Sequence, residues 1–91
     1  AALVGLKQPD AIFIGGGFTR ETFEFCWSEL KPLGRIVVNV VTLESENLLL
    51  DMYKIYGGEL IKITINRALD IGNSAVWKPF MPITQWSLEK K

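Results

Sequence analysis

Two short apolar runs, each followed by a segment with helical spacing, constrain this chain more than any other feature. Ala11-Ile12-Phe13-Ile14 is unbroken, and Ile36-Val37-Val38-Asn39-Val40-Val41 is β-branched and interrupted only by Asn39. Continuous rather than alternating hydrophobicity marks strands covered on both faces. Pro9 suits the position just ahead of the first strand, since proline cannot donate to a sheet ladder. Between the runs, Phe23, Cys26, Trp27 and Leu30 fall at i, i+3, i+4 and i+7, a helical stripe. Thr19 can cap that helix, with Glu21 in its first turn. Lys31-Pro32-Leu33-Gly34 ends it, and Gly34 is the residue expected to take the chain reversal. After the second run, Leu48, Met52 and Ile55, widened by Leu49 and Tyr56, predict a helix over about 45–56 that Gly57-Gly58 terminates. Thr42 or Ser45 can cap it, and Glu44 and Glu46 suit its positive end. Strand, helix, strand, helix implies a parallel sheet with right-handed crossovers.

The period then changes. Leu60 to Asn66 alternates, with Ile61, Ile63 and Ile65 on one face and Lys62, Thr64 and Asn66 on the other. Such a strand has one wet face or lies near an edge. Asp70-Ile71-Gly72-Asn73-Ser74 is turn chemistry, so the chain should fold back antiparallel. Pro79 and Pro82 forbid one uninterrupted central strand before Ile83–Leu88 resumes. The expectation is a hairpin whose distal part, about Arg67 to Lys78, projects beyond the sheet. Trp77 and Phe80 on such an arm should meet the domain body or another subunit.

Where the first strand ends stand Gly15, Gly16 and Gly17. Glycine there permits φ > 0 in a tight turn, or lets a ligand approach the backbone. In open α/β sheets the crevice at the C-terminal strand ends is where ligands bind. The triplet is not a dinucleotide fingerprint, because the third glycine of G-x-G-x-x-G would fall on Arg20. Nor is there a G-x-x-x-x-G-K-[ST] phosphate loop. Asn39, a polar group in an apolar run, needs hydrogen-bond partners from the protein or from a ligand.

The 91 residues suffice for one small domain spanning 1–91, in which 48% hydrophobic residues are a heavy apolar load. Part of that load should be covered by another chain, so a homo-oligomer is expected, with a tetramer among the candidates. Ten basic and ten acidic residues cancel, leaving no electrostatic footprint for nucleic acid or an anionic membrane. No histidine is present and Cys26 is the sole cysteine, which removes histidine-based catalytic pairs and makes a metal site improbable. A single cysteine and no transmembrane run or signal peptide make a cytoplasmic location the simple expectation. Ala1-Ala2-Leu3-Val4-Gly5 reads as the end of an upstream element.

The order strand, glycine turn, helix closing in Leu30-Lys31-Pro32-Leu33-Gly34-Arg35, strand, helix and antiparallel hairpin resembles the C-terminal half of a class I S-adenosylmethionine-dependent methyltransferase. Pro9 to Gly17, Gly34 to Glu44 with its Asn-x-x-Thr-x-Glu signature, Trp77-Lys78-Pro79 and the Pro82–Trp86 segment together resemble the decarboxylating precorrin-6Y C5,15-methyltransferase family of cobalamin biosynthesis. The resemblance implies an α/β, Rossmann-like partial domain with two helices and a mixed sheet of about four strands, order 4-5-7-6 of the full fold, including an antiparallel C-terminal hairpin. It implies S-adenosylmethionine as cofactor and a tetrapyrrole corrin precursor as substrate, methylated at C15 with loss of carbon dioxide from the C12 acetate. By position, Gly15, Gly16 and Gly17 would bind the cofactor, and Asn39, Thr42 and Glu44 the substrate. No residue is assigned to the decarboxylation. The family's N-terminal strand, glycine-rich cofactor loop and ribose-binding acid have no counterpart here, so this chain alone is not expected to turn over. The first strand would then carry an open edge. Two other readings stay open: a non-catalytic oligomerising α/β module descended from a methyltransferase, and the distal half of another Rossmann-like enzyme with a nucleotide or sugar ligand.

Overall fold

The computed structural model describes residues 8–91; the expectation for Ala1–Gly5 lies outside them. Eight elements follow in order: β1 (Ala11–Ile14), α1 (Arg20–Glu29), β2 (Arg35–Val40), α2 (Leu43–Tyr56), β3 (Glu59–Ile63), β4 (Asn66–Ile71), β5 (Ser74–Pro79) and β6 (Ile83–Glu89). Four strands form one sheet in the order β1-β2-β6-β3, while β4 and β5 form a separate two-stranded ladder. β1 and β2 run parallel, and β6 runs antiparallel to both of its neighbours, β2 and β3. The mixed sheet and its order agree with the fold expected from sequence.

Both helices lie on one face of this sheet. Ile14, Ile36, Val38, Val40, Trp86 and Leu88 point toward them and are buried with Phe23 of α1, Leu30 at its C-cap, and Leu49 and Met52 of α2. The α1 stripe is graded: Phe23 and Leu30 are fully buried, while Cys26 and Trp27 flank the core half-buried. Aromatic rings tie the layers together. Phe23 stacks on Trp86 at 5.3 Å and on Trp27 at 5.6 Å, and Tyr56 meets Phe23 at 5.2 Å. The Trp86 indole N–H donates to the Gly57 carbonyl at 2.7 Å, so a polar atom taken into the core is satisfied where α2 ends.

The opposite face has no helix over it among the described residues. Phe13 is 63% exposed there, beside Val37 and across from the Asn39, Gln85 and Ile61 positions of the adjoining strands. Continuous hydrophobicity therefore marks strands of which this chain covers one face.

Several local expectations are corrected. Thr42 caps α2, its Oγ1 accepting from the Ser45 N–H at 3.1 Å, so the helix starts at Leu43 rather than 45. β2 stops at Val40, leaving Val41 exposed. The residue in the left-handed region after α1 is Leu33, with φ 69°, not Gly34. Gly34 is needed for space: a Cβ there would stand 2.7 Å from the Asp10 carbonyl oxygen and 2.8 Å from that of Lys31. β3 ends at Ile63 instead of Asn66, because beyond it the chain leaves β6 and begins its ladder with β5; the Phe80 N–H already donates to the Ile65 carbonyl. Which face of β3 turns inward is set by its partner strand. Pairing Leu60 with Trp86 turns Leu60 toward the core, so Ile61 and Ile65 are exposed. β3 is nonetheless an edge strand, as the alternation allowed.

The arm projects as expected. Ile71 pairs with Ser74 around Gly72-Asn73, and Gly72 has φ 60° at the first central position, where a type II′ hairpin turn needs glycine. Every residue of β4 and β5 is exposed, Trp77 among them at 72%, so neither Trp77 nor Phe80 is covered by the body of the domain. The longest dimension is 57 Å against 29 and 21 Å, and the radius of gyration is 16.7 Å. A compact chain of this length would have about 12 Å.

Candidate functional site

β1 and β2 end side by side, since parallel pairing sets Ile14 opposite Val38. Their C-terminal ends open into a cavity of ≈ 150 Å³ lined by Gly15, Gly16, Gly17, Phe18, Asn39, Val40, Val41, Thr42 and Ser45. Five of the six residues singled out from sequence thus stand around one cavity. Glu44, in the first turn of α2, is exposed and outside it.

The three glycines differ. A Cβ on Gly15 would lie 2.8 Å from the flexible Phe13 ring, whereas at Gly16 and Gly17 it would meet nothing within 4 Å. Gly17 adopts φ 65° and so makes the turn. Gly16 is under neither constraint. Its bare backbone simply leaves the cavity wall open.

Asn39 stands on the uncovered face of β2, and its Oδ1 accepts from Gln85 Nε2 at 2.9 Å. The partner that this polar residue needs is therefore supplied from β6. Sequence reading missed Gln85, which becomes legible only once β6 is known to run antiparallel with Gln85 opposite Asn39. The Thr42 hydroxyl caps α2 and keeps its proton free to donate. Ser45, considered only as a cap, is a lining residue instead.

A second polar cluster lies at the same end of the sheet. Lys62 of β3 donates to Glu46 and, at 2.7 Å, to the buried hydroxyl of Thr84, which itself donates to Glu46. The hydrogen bond from Lys62, and next that from Thr84, hold the Glu46 carboxyl below its ordinary range. Glu46 was read from sequence only as a helix-end charge; here it ties α2 to both strands of the sheet edge. Cys26 has its thiol pushed up by burial, an inert setting for a nucleophile. Among the described residues no group of His, Cys, Asp and Glu could hold a metal ion, and no helix is long and apolar enough to cross a membrane.

Residues 1–90 match a family described as the precorrin methyltransferase domain. The chain belongs to that family. Among curated relatives it is 53% identical over 91 residues to a precorrin-6Y C(5,15)-methyltransferase [decarboxylating] of a Sinorhizobium species, covering 99% of this chain and 22% of the relative. The protein of the same name from Mycobacterium tuberculosis is 39% identical over 85 residues, 92% of this chain and again 22% of the relative. Among solved structures, the C-terminal domain of precorrin-6Y C5,15-methyltransferase from Rhodobacter capsulatus superposes with a TM-score of 0.87 at 42% identity, over 98% of this chain and 48% of that one. The chain thus spans about a fifth of the length of the curated relatives it matches and about half of the solved domain. The cavity is correspondingly small, since a site enclosing a whole ligand runs to about 300–1,000 Å³.

Proposed function

We propose that this chain supplies part of a decarboxylating precorrin-6Y C5,15-methyltransferase: one wall of the cleft in which a tetrapyrrole corrin precursor receives a methyl group from S-adenosylmethionine in cobalamin biosynthesis. The observation that carries the reading is the cavity itself. In a chain 53% identical to a protein of that activity, it gathers Gly15, Gly16, Gly17, Asn39 and Thr42 where two parallel strands end. The open space over Gly16 and Gly17 fits one side of a closely apposed cofactor. S-adenosylmethionine supplies, when bound, an electrophilic methyl group on its sulfonium.

The chain's residues then have modest tasks. Gly16 and Gly17 leave room beside the methyl donor, and Gly15 accommodates the Phe13 ring below them. Asn39, held by Gln85, presents amide donors, and Thr42 a hydroxyl, toward the precorrin. Glu44 borders this wall from the outside and plays at most a peripheral part in holding substrate. Methyl transfer depends mainly on aligning nucleophilic carbon, methyl and sulfur in a water-poor space. A chain without histidine can therefore take part. Soluble assembly as a homo-oligomer through the Trp77 face of the arm belongs to the same reading, because Trp77 is exposed beside Asn66 and Ala68 with nothing of its own domain over it.

The test is Gly16→Val in the full-length protein. Side-chain carbons would enter the open space over residue 16 without meeting the fold, so turnover should fall roughly 100-fold, the scale of a displacement of about 1 Å in a reacting pair. Circular dichroism should stay unchanged. Unchanged turnover would refute the assignment of this cavity. The alternative of a non-catalytic oligomerising module predicts no heat of S-adenosylmethionine binding in either form.

A further inference from the structure

The arm carries a charge arrangement that its own fold does not explain. Arg67 and Lys78 are cross-strand partners, facing each other directly at the base of the β4–β5 ladder. Like charges placed opposite one another destabilise a two-stranded pair. Neither makes an ion pair or a side-chain hydrogen bond among the described residues, whose salt bridges join Lys31 to Asp10, Arg35 to Glu89 and Lys62 to Glu46. The two cations form one end of a groove of ≈ 560 Å³ lined by Arg67, Ala68, Leu69, Asp70, Lys78 and Phe80. Alternation puts Leu69 and its partner Val76 on the same face as the cations, and Asp70 on the other face with Ala75, Ala68 and Trp77. Leu69, Val76 and Phe80 are each 41–45% exposed. Although alternation faces Asp70 away from the cations, it borders the groove, which offers two adjacent positive charges with the apolar carbons of Leu69 and Phe80 beside them.

The groove also stands at the catalytic end of the sheet. The arm leaves β3 after Ile63 and returns to β6 at Ile83, which pair with each other. Val40, where β2 meets the glycine cavity, pairs with Thr84 of the same β6 end. Strand spacing of about 4.8 Å puts the root of the arm within one or two strands of that cavity.

We infer that the Arg67/Lys78 face of the arm is a carboxylate-binding site for the tetrapyrrole substrate: the two cations take peripheral carboxylates of the macrocycle while Leu69, Val76 and Phe80 cover its apolar ring. Charge complementarity selects this occupant. A polycarboxylated ring is both anionic at its rim and apolar on its face, the pattern that the groove mirrors, and guanidinium and ammonium bonds to carboxylate are the strong, charge-assisted kind. The inference rests on the precorrin reading above, and the Trp77 face remains separate from it.

The probe is uroporphyrin, a tetrapyrrole with carboxylates around its rim, titrated by fluorescence into the chain at low and at moderate salt. Saturable binding that weakens with salt is expected, and Arg67→Gln/Lys78→Gln should weaken it roughly 10-fold or more, about 1.4 kcal/mol. Lys54→Gln, a charge change on an exposed α2 position, should leave it unaltered. Arg67→Lys with Lys78→Arg keeps both charges and should retain binding within a few-fold. Because the two cations repel each other, the Gln/Gln variant should melt no lower than the parent chain. Absent wild-type binding, equal affinity of the Gln/Gln variant, a lower melting temperature, or lost binding that tracks a changed sedimentation mass would each overturn the proposal. S-adenosylmethionine titration separates the two readings. Porphyrin binding that needs Arg67 and Lys78 without cofactor affinity in the full-length protein would sink the methyltransferase reading alone, whereas cofactor affinity with cation-independent porphyrin binding would sink only this one.

Discussion

Trp86→Phe tests whether the core is assembled as described, with α1 and α2 locked to the sheet through one indole. Trp86 is fully buried, stacks on Phe23 at 5.3 Å and donates to the Gly57 carbonyl at 2.7 Å. Phenylalanine keeps a ring in place and removes the donor. Losing that bond costs about 1 kcal/mol. The smaller ring leaves roughly 40 Å³ unfilled, worth about 1 kcal/mol at ~24 cal/mol per Å³. The lost transfer free energy of the removed atoms contributes roughly 1 kcal/mol more. The sum is about 3 kcal/mol, equivalent to a fall in Tm of about 12–24 °C for a domain of this size. Urea unfolding followed by far-ultraviolet circular dichroism, at one protein concentration because association would shift the midpoint, measures it directly. Trp77→Phe on the exposed arm is the control and should move the monomer's stability by under about 0.5 kcal/mol. A loss below about 1 kcal/mol for Trp86→Phe would refute the reasoning, since neither the capped carbonyl nor the aromatic packing would then be holding α2 to β6.

Two further perturbations probe the edge and the arm. The folded Glu46 pKa lies below its unfolded value of about 4.3, so its contribution to stability is present above that pH and drains away as pH falls through the folded-state value. Urea midpoints measured from neutral pH into the acid range should therefore fall less steeply for Lys62→Met than for the parent chain; parallel curves would show that Lys62 does not hold the carboxylate. Trp77→Ser removes the largest apolar side chain from the exposed arm and should shift sedimentation velocity profiles toward monomer at micromolar concentration. Identical profiles for both chains would place self-association elsewhere.

The parts of the fold legible in sequence are those in which one signal acts alone. Phe23 and Leu30 recur at helical spacing and are fully buried, one inside α1 and one at its C-cap; the Ile14 and Val38 runs pair in parallel; and Gly72 sits where a hairpin turn needs it. Readings failed where two signals competed. Gly34 looked like the residue of the reversal because glycine often is, yet Leu33 takes the left-handed conformation, since Gly34 must be bare to pass the Asp10 and Lys31 carbonyls. Alternation in Leu60–Asn66 separated two faces without saying which is inside, and pairing of Leu60 with Trp86 decided that. A register of this kind depends on a partner strand more than twenty residues away and leaves no local trace. The same limit applied to the site. The glycines, Asn39 and Thr42 were visible because they end strands, whereas Gln85 and the Lys62–Glu46–Thr84 cluster exist only through β6.

β6 is what joins the two candidate binding regions mechanically. Its N-terminal end carries the returning arm at Ile83, clamps Glu46 at the start of α2 through Thr84, and sets Gln85 against Asn39 beside the glycine cavity. Force applied to the arm by a bound partner or ring would reach the cavity wall through two residues and two hydrogen bonds. The links between arm and sheet are short, residues 64–65 on one side and 80–82 on the other. An insertion in the Gly72-Asn73 turn should thus be tolerated, because it only lengthens the tip, whereas an extra residue at Met81–Pro82 would displace Thr84 and Gln85 together. The second change would disturb the glycine cavity without touching any residue that lines it.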